Sequence, residues 1–157
     1  MPIRYLPMDS AIAHALRTGG LDAYGLVPER AISDGDGVPC RHCLGDIPAG
    51  KPVMVLAYRP FATVQPYAET GPIFLCKEEC AAHDPAQGMP ESFRSRARFQ
   101  IRCYDGRDRM IYDLNGMVEI AELDARAEAL FEAHPHLAYI HLRSETAGCY
   151  RARIERG

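Results

Sequence analysis

Apolar and polar side chains alternate in three stretches of the C-terminal half of the chain, at residues 98–104, 137–142 and 149–155. Alternation of this kind is typical of a β-strand with one buried face. An Asp-Gly pair at 105–106 predicts a hairpin turn after the first stretch, followed by a second strand at 109–115. The pattern therefore predicts an antiparallel sheet in this half.

The segment between the hairpin and the last two strands has apolar residues at helical spacing. An apolar stripe at helical spacing predicts a helix within residues 117–135, and its members are Ile120, Leu123, Ala127 and Leu130. A shorter amphipathic helix is predicted after the cap candidates Asp9 and Ser10. We therefore expect an α+β fold whose C-terminal half is an antiparallel ββαββ arrangement.

The N-terminal half shows less regular patterning. Residues 3–6 predict a short edge strand, residues 53–58 form a near-continuous apolar run typical of a core strand, and residues 71–76 predict a third strand. The segment 21–39 has the composition of an irregular connection. A loop at 59–72 contains three prolines, which favour an ordered conformation.

Four of the six cysteines lie in this half as two close pairs. Cys40 and Cys43 form a C-x-x-C motif, and Cys76 and Cys80 form a C-x3-C motif at the end of a predicted strand. Zn²⁺ binds four thiolates in a tetrahedron at about 2.3 Å, and two distant cysteine pairs are a common source of them. The sequence predicts a knuckle, that is, a tight loop around the C-x-x-C motif, followed by a hairpin and a short helical turn at 77–84. This order of elements is typical of a treble-clef-like zinc site.

Other uses of these cysteines stay open. His42 or His83 could replace one of them, since imidazole is also a zinc ligand. The pairs could form disulfides, or the four side chains could pack as small apolar groups. A redox role for the first pair is disfavoured, because residues 44–52 have the composition of a turn and a thioredoxin-like motif opens a helix.

Composition narrows the class of protein. The 157 residues, 47% hydrophobic and 25% charged, predict one globular domain, 1–157, with a metal-stapled half at 1–90 and a sheet-plus-helix half at 91–157. No apolar run is long enough to span a bilayer and no leader-like run opens the sequence, so we expect a cytoplasmic protein without a membrane partner. The net charge of -3 disfavours nucleic acid as the main partner.

Two surfaces are candidates for binding a ligand. The loop at 59–72 carries Tyr67, Glu69 and Thr70, and ordered loops of this length are often functional. Strict alternation places a basic group of side chains on the outer face of the C-terminal sheet, with Arg102 and Arg151 as candidate anion ligands. The predicted members of this face are Arg98, Arg102, Tyr104, His141, Arg143, Arg151 and Arg153. The alternative is a solvated face whose arginines pair with nearby acids.

Several motifs resemble one bacterial family. The stretches PCRHCL, YRPF and PYAETGPIF, a cysteine four residues after the strand end, and GCYRARIER near the C-terminus are similar to the domain of unknown function 1203. The resemblance covers nearly the whole chain. It implies no activity and no catalytic residue, because the family is defined without a function.

The sequence favours a small zinc-binding protein whose metal is structural, with a binding role towards a protein or a small anionic ligand. Four protein ligands leave no coordination position for water. The alternative is a metal-dependent hydrolase in which three groups bind zinc and Glu69 acts as the base. A second alternative is single-stranded nucleic-acid binding through the arginine-rich sheet face.

Overall fold

The computed structural model describes residues 2–157, and contacts divide them into two compact units. One unit, the cysteine unit, comprises residues 7–83. The other, the sheet unit, comprises residues 2–6 together with residues 84–157. The expectation of a single domain with halves that meet near residue 90 stays a prediction.

Eight strands and two α-helices make up the regular structure of the described residues. The strands are β1 Ile3–Leu6, β2 Glu29–Ile32, β3 Pro52–Tyr58, β4 Gly71–Cys76, β5 Arg98–Asp105, β6 Gly116–Glu119, β7 Leu137–Ser144 and β8 Tyr150–Arg156. The helices are α1 Ser10–Arg17 and α2 Leu123–Ala133. Every strand pair is antiparallel, so the predicted mixture of helices and antiparallel sheets is confirmed. Neither α-helix, nor any other helix in residues 2–157, is long and apolar enough to cross a bilayer.

The cysteine unit contains a three-stranded sheet in the order β2-β3-β4 and the helix α1. Asp9 caps α1 as predicted, because its carboxylate accepts from the backbone N–H groups of Ala11 and Ile12. Ala13 and Leu16 are the buried residues of α1 and pack into a core with β3 and β4. Cys40 belongs to that core, with Cys43, Cys76 and Cys80 packed against it.

Two local predictions in this unit are wrong. Residues 29–32 form β2 although the segment 21–39 was expected to be irregular. All four residues of β2 are exposed, so an edge strand of this kind has no buried face and no alternation to detect. The helical turn expected at 77–84 is absent, and these residues are irregular.

The sheet unit contains a five-stranded sheet in the order β1-β8-β7-β5-β6, with α2 packed against it. Its aromatic core includes edge-to-face contacts of Phe93 with Tyr5, at 6.1 Å between ring centroids, and with Phe99, at 5.0 Å. Arg156 of β8 donates to the carbonyl oxygens of Phe131 and His134, and so binds the C-terminal end of α2 to the sheet.

The hairpin predicted after β5 is present only in part. The chain turns at 106–107, and Met110 forms an antiparallel bridge with Tyr104 of β5. The predicted strand at 109–115 is otherwise irregular with a short 3₁₀ segment, Tyr112–Leu114, and the strand that pairs with β5 is β6 at Gly116–Glu119. The predicted helix accordingly begins six residues later than residue 117, at Leu123. Only Val118 is buried in β6, and a single buried residue produces no period.

Candidate metal centre

The first cysteine pair lies on a tight loop that is bound to β4. Pro39 bridges to Asp46, and the N–H of Cys40 donates to the carbonyl of Gly45 at 2.9 Å. Cys40 also bridges to Phe74 of β4, whose carbonyl accepts from the N–H of Arg41 at 3.2 Å. Leu44 has φ 59°, a left-handed conformation that costs a non-glycine residue about 1–2 kcal/mol. Its side chain is buried, which indicates that packing holds the loop in this shape.

The second pair reaches the same place from the end of β4. Cys76 is the last residue of β4, and its carbonyl accepts from Nε of Arg17 at 2.9 Å. Cys80 lies four residues further in irregular chain. The N–H of His83 then donates to the carbonyl of His42 at 3.0 Å, which closes the segment back onto the first loop.

The four sulfurs converge. The Sγ atoms of Cys40, Cys43, Cys76 and Cys80 all lie within 4.8 Å of one another, and Cys40 and Cys80 are 3.9 Å apart. A tetrahedron with metal–sulfur bonds of 2.3 Å requires sulfur–sulfur distances of about 3.8 Å. All six cysteines of the chain are free. Within residues 2–157 this is the one group of His, Cys, Asp or Glu side chains arranged to hold a metal ion.

The two histidines considered as alternative ligands do not belong to the sulfur cluster. His42 is buried, and its Nδ1 lies 3.2 Å from Sγ of Cys80 while its Nε2 lies 2.9 Å from Oγ of Ser10. With Cys80 as the thiolate that metal ligation requires, its sulfur only accepts, so Nδ1 would carry the proton and Nε2 would accept from the Ser10 hydroxyl. His42 therefore supports a ligand rather than replacing one.

Arg17 is the second side chain that contacts Cys80. Its Nη2 donates to Sγ of Cys80 at 3.0 Å. Cys40, by contrast, accepts two backbone N–H groups, from His42 and from Cys76, both at 3.4 Å. The sequence pattern did not indicate Arg17 or Ser10, because both lie on α1 and no local motif connects that helix to cysteines so distant in the chain.

The pKa values of the four thiols are shifted in different directions. Hydrogen bonds from the other three cysteines, Cys40 first, hold the pKa of Cys80 far below its usual range, and the His42 contact adds to this. Hydrogen bonds with Cys40, Cys43 and Cys80 raise the pKa of Cys76. A cation placed among the sulfurs would stabilise all four as thiolates, because metal ligation requires the deprotonated form.

A cavity of about 150 Å³ opens beside the second pair. Its lining residues are Ile47, Pro48, Lys51, Pro52, Cys76, Glu78, Glu79 and Cys80. Tyr67, Glu69 and Thr70 do not belong to it. They precede β4, whereas Cys76 ends it, and six strand residues at about 3.3 Å each separate the two ends by roughly 17 Å. This separation disfavours Glu69 as a base acting at the sulfur cluster.

The two candidate arginines of the sheet unit lie in different surroundings. Arg102 is half-buried and opposite His141 in the β5–β7 pairing. Arg151 is buried, and its guanidinium lies over the rings of Phe93 and Phe99 at 5.3 and 5.2 Å. The placement of Arg151 on the outer face is wrong, because the β7–β8 register shifts by one residue there and moves the side chain to the Phe99 side. Anion binding by either arginine stays a prediction.

Comparison with known proteins gives one match. The family model described as "Protein of unknown function (DUF1203)" matches residues 37–156, a span that contains all four clustered cysteines. No curated protein and no solved structure matches the chain. Because the family model spans well over half of the sequence, the resemblance of the cysteine and C-terminal motifs is confirmed, and the chain belongs to the DUF1203 family of proteins of unknown function.

Proposed function

We propose that this protein binds one zinc ion through Cys40, Cys43, Cys76 and Cys80, and that the ion is structural. The observation that supports this is the convergence of four sulfurs, from two distant segments, within 4.8 Å. An all-sulfur tetrahedral donor set is soft and favours Zn²⁺ over harder divalent ions such as Mg²⁺.

The surroundings of the sulfurs support a structural role. Four thiolates complete the coordination of zinc and leave no position for a reacting water. Cys40 lies in the hydrophobic core of the cysteine unit, so an ion bound there would join the loop at 39–46, β4 and the segment that carries Cys80. We propose a zinc-knuckle arrangement of treble-clef type, formed by the Cys40–Cys43 loop and the β3–β4 hairpin. For the sheet unit we retain the ββαββ description of β5 to β8 with α2.

We propose that the protein also binds a partner, either another protein or a small anionic ligand. Arg102, Arg143 and Arg153 all lower the pKa of the buried His141, after the larger effect of its burial, so three arginines lie around one position of the sheet, and of these Arg153 is paired with Glu155. The charges of Arg102 and Arg143 there favour an anionic partner. Single-stranded nucleic acid is the weaker candidate, since the overall charge is negative and Arg151 does not share that face.

Elemental analysis of protein purified without chelators tests the proposal. We expect stoichiometric zinc in the wild type and in Cys149→Ser, a matched control whose cysteine lies outside the sulfur cluster. We expect loss of zinc in Cys40→Ser. A wild-type protein that carries no transition metal, and folds equally well in strong chelator, would refute the proposal.

A further inference from the structure

We propose that Cys80 is the exchangeable ligand of the metal centre: a small external thiol replaces its sulfur on the ion while Arg17 and His42 hold the released thiolate. This inference rests on the proposed metal site and concerns how that site opens. It assigns separate roles to the four cysteines, which a purely structural zinc site does not require.

The first supporting observation is the distribution of hydrogen-bond donors. Two side chains from outside the sulfur cluster converge on Cys80, Arg17 at 3.0 Å and His42 at 3.2 Å, whereas Cys40 accepts from the backbone N–H groups of His42 and Cys76. A cationic donor forms a charge-assisted hydrogen bond to the thiolate and draws electron density away from the sulfur, which leaves less for a bond to a metal. The same donor stabilises the sulfur once it has left the metal, so dissociation costs least at Cys80.

The second observation is the backbone around each ligand. Cys40 and Cys43 lie on a loop held by two bridges, and Cys76 lies in β4. Cys80 lies in irregular chain beyond the strand, where no sheet ladder restrains it. Segments with few backbone hydrogen bonds open locally at the lowest free energy. Cys80 can therefore move away while the other three ligands stay in place.

The third observation is the cavity beside Cys76 and Cys80. Its volume of about 150 Å³ exceeds the roughly 30 Å³ of a water molecule several-fold and admits a small organic thiol. Lys51 on its lining attracts a thiolate, and the apolar Ile47 and Pro48 accommodate a short carbon chain. Glu78 and Glu79 on the same lining oppose bulky anionic thiols, so the favoured ligand is small and carries no further negative charge.

The exchange is a substitution without redox change. The metal–sulfur bond to Cys80 breaks, and Cys80 keeps the electron pair as a thiolate held by Arg17. The incoming thiol would release its proton to the solvent and bind the metal as a thiolate. Neither the metal nor any sulfur changes oxidation state.

Cobalt substitution tests which ligand exchanges, because the visible bands of Co²⁺ report the number of bound sulfurs. Cys80→Ser should retain Co²⁺ in a spectrum that shifts when 2-mercaptoethanol is added. Cys40→Ser should lose the metal. Equal loss from both variants, or a Cys80→Ser spectrum that does not respond to the thiol, would overturn the inference. If the wild type itself binds no Co²⁺ or Zn²⁺, the proposed function has failed together with it.

A substitution at Arg17 tests its role, because the proposed role and a purely structural role predict opposite changes in the rate of zinc release. The measurement is the rate at which zinc passes to a chromophoric chelator in the presence of 2-mercaptoethanol. Arg17→Gln keeps a donor but removes the charge, and we expect slower transfer, opposite in direction to the loss of metal affinity that removal of a residue supporting a metal ligand usually causes. Arg17→Lys should restore the rate. If Arg17 only holds the fold through the Cys76 carbonyl, Arg17→Gln would release zinc faster, and that result would contradict the inference.

Discussion

The two units of this protein achieve order by different means. The sheet unit has five paired strands, a covering helix and an aromatic core that includes Tyr5, Phe93, Phe99 and Phe131. The cysteine unit has three strands, an eight-residue helix and long irregular segments, and four cysteines lie in or against its core. A metal ion bound by the four cysteines would hold these irregular segments together, because the binding free energy of a structural metal contributes to folding. With the proposed zinc ion, we expect the cysteine unit to depend on the metal for folding and the core of the sheet unit not to depend on it.

The largest expected effect is loss of the metal. Apparent binding free energies for structural zinc are about 10–16 kcal/mol, so Cys40→Ser or strong chelation should unfold the cysteine unit. Hydrogen exchange followed by mass spectrometry should show lost protection in β3 and retained protection in β7. Equal loss in both strands would contradict the proposed difference between the units.

A cavity made by substitution in the core of the sheet unit should destabilise that unit and leave the metal content unchanged. Phe131 of α2 is buried, and Phe131→Ala should lower the free energy of unfolding of the sheet unit by about 3–5 kcal/mol. Zinc content should stay stoichiometric. Met117→Ala, at a side chain that is 47% exposed, is the control and should change stability little. Zinc loss from Phe131→Ala at temperatures where the protein remains folded would show that the units are not independent.

Acid should weaken the sheet unit through His141. Burial, followed by the charges of Arg153, Arg143 and Arg102, holds the pKa of His141 well below its usual 6.5. The unfolded chain then binds a proton more readily than the folded one, so the stabilising contribution is complete above about pH 6.5 and falls by about 1.4 kcal/mol per pH unit below it.

Urea titrations of wild type and His141→Gln from about pH 7 to pH 5 measure this contribution. The free energy of unfolding of the variant should depend less steeply on pH. The rings that pack against His141 belong to Tyr104, Tyr139 and Tyr150, which do not change charge in this range. Parallel curves for the two proteins would exclude His141 as the source.

The smallest predicted effect concerns the cap of α1. Asp9→Ala removes the acceptor for the N–H groups of Ala11 and Ile12 and should cost the cysteine unit about 1 kcal/mol. Asp9→Asn retains an acceptor and is the matched control. Denaturant midpoints measured with zinc bound should separate the two variants. Identical midpoints for Ala and Asn would show that the cap contributes nothing to this unit.

Several parts of this protein were evident from the sequence alone. The strands with one buried face, β5, β7 and β8, follow from alternation, and α1 follows from its cap, because these signals are local. The spacing of the two cysteine pairs likewise identified the four residues that could share an ion. The short or exposed strands β2 and β6 were missed because burial is what produces the pattern.

Only the tertiary structure decided which distant parts meet. It pairs β1 with β8 across almost the whole chain. A register shift in the sheet also places the side chain of Arg151 over the rings of Phe93 and Phe99. The tertiary structure also places Arg17 and His42 against one of four chemically identical cysteines. No local pattern encodes these contacts, because each depends on packing between segments that are far apart in sequence. The sequence therefore determines which residues could bind a metal, and the packing of the chain determines how they differ.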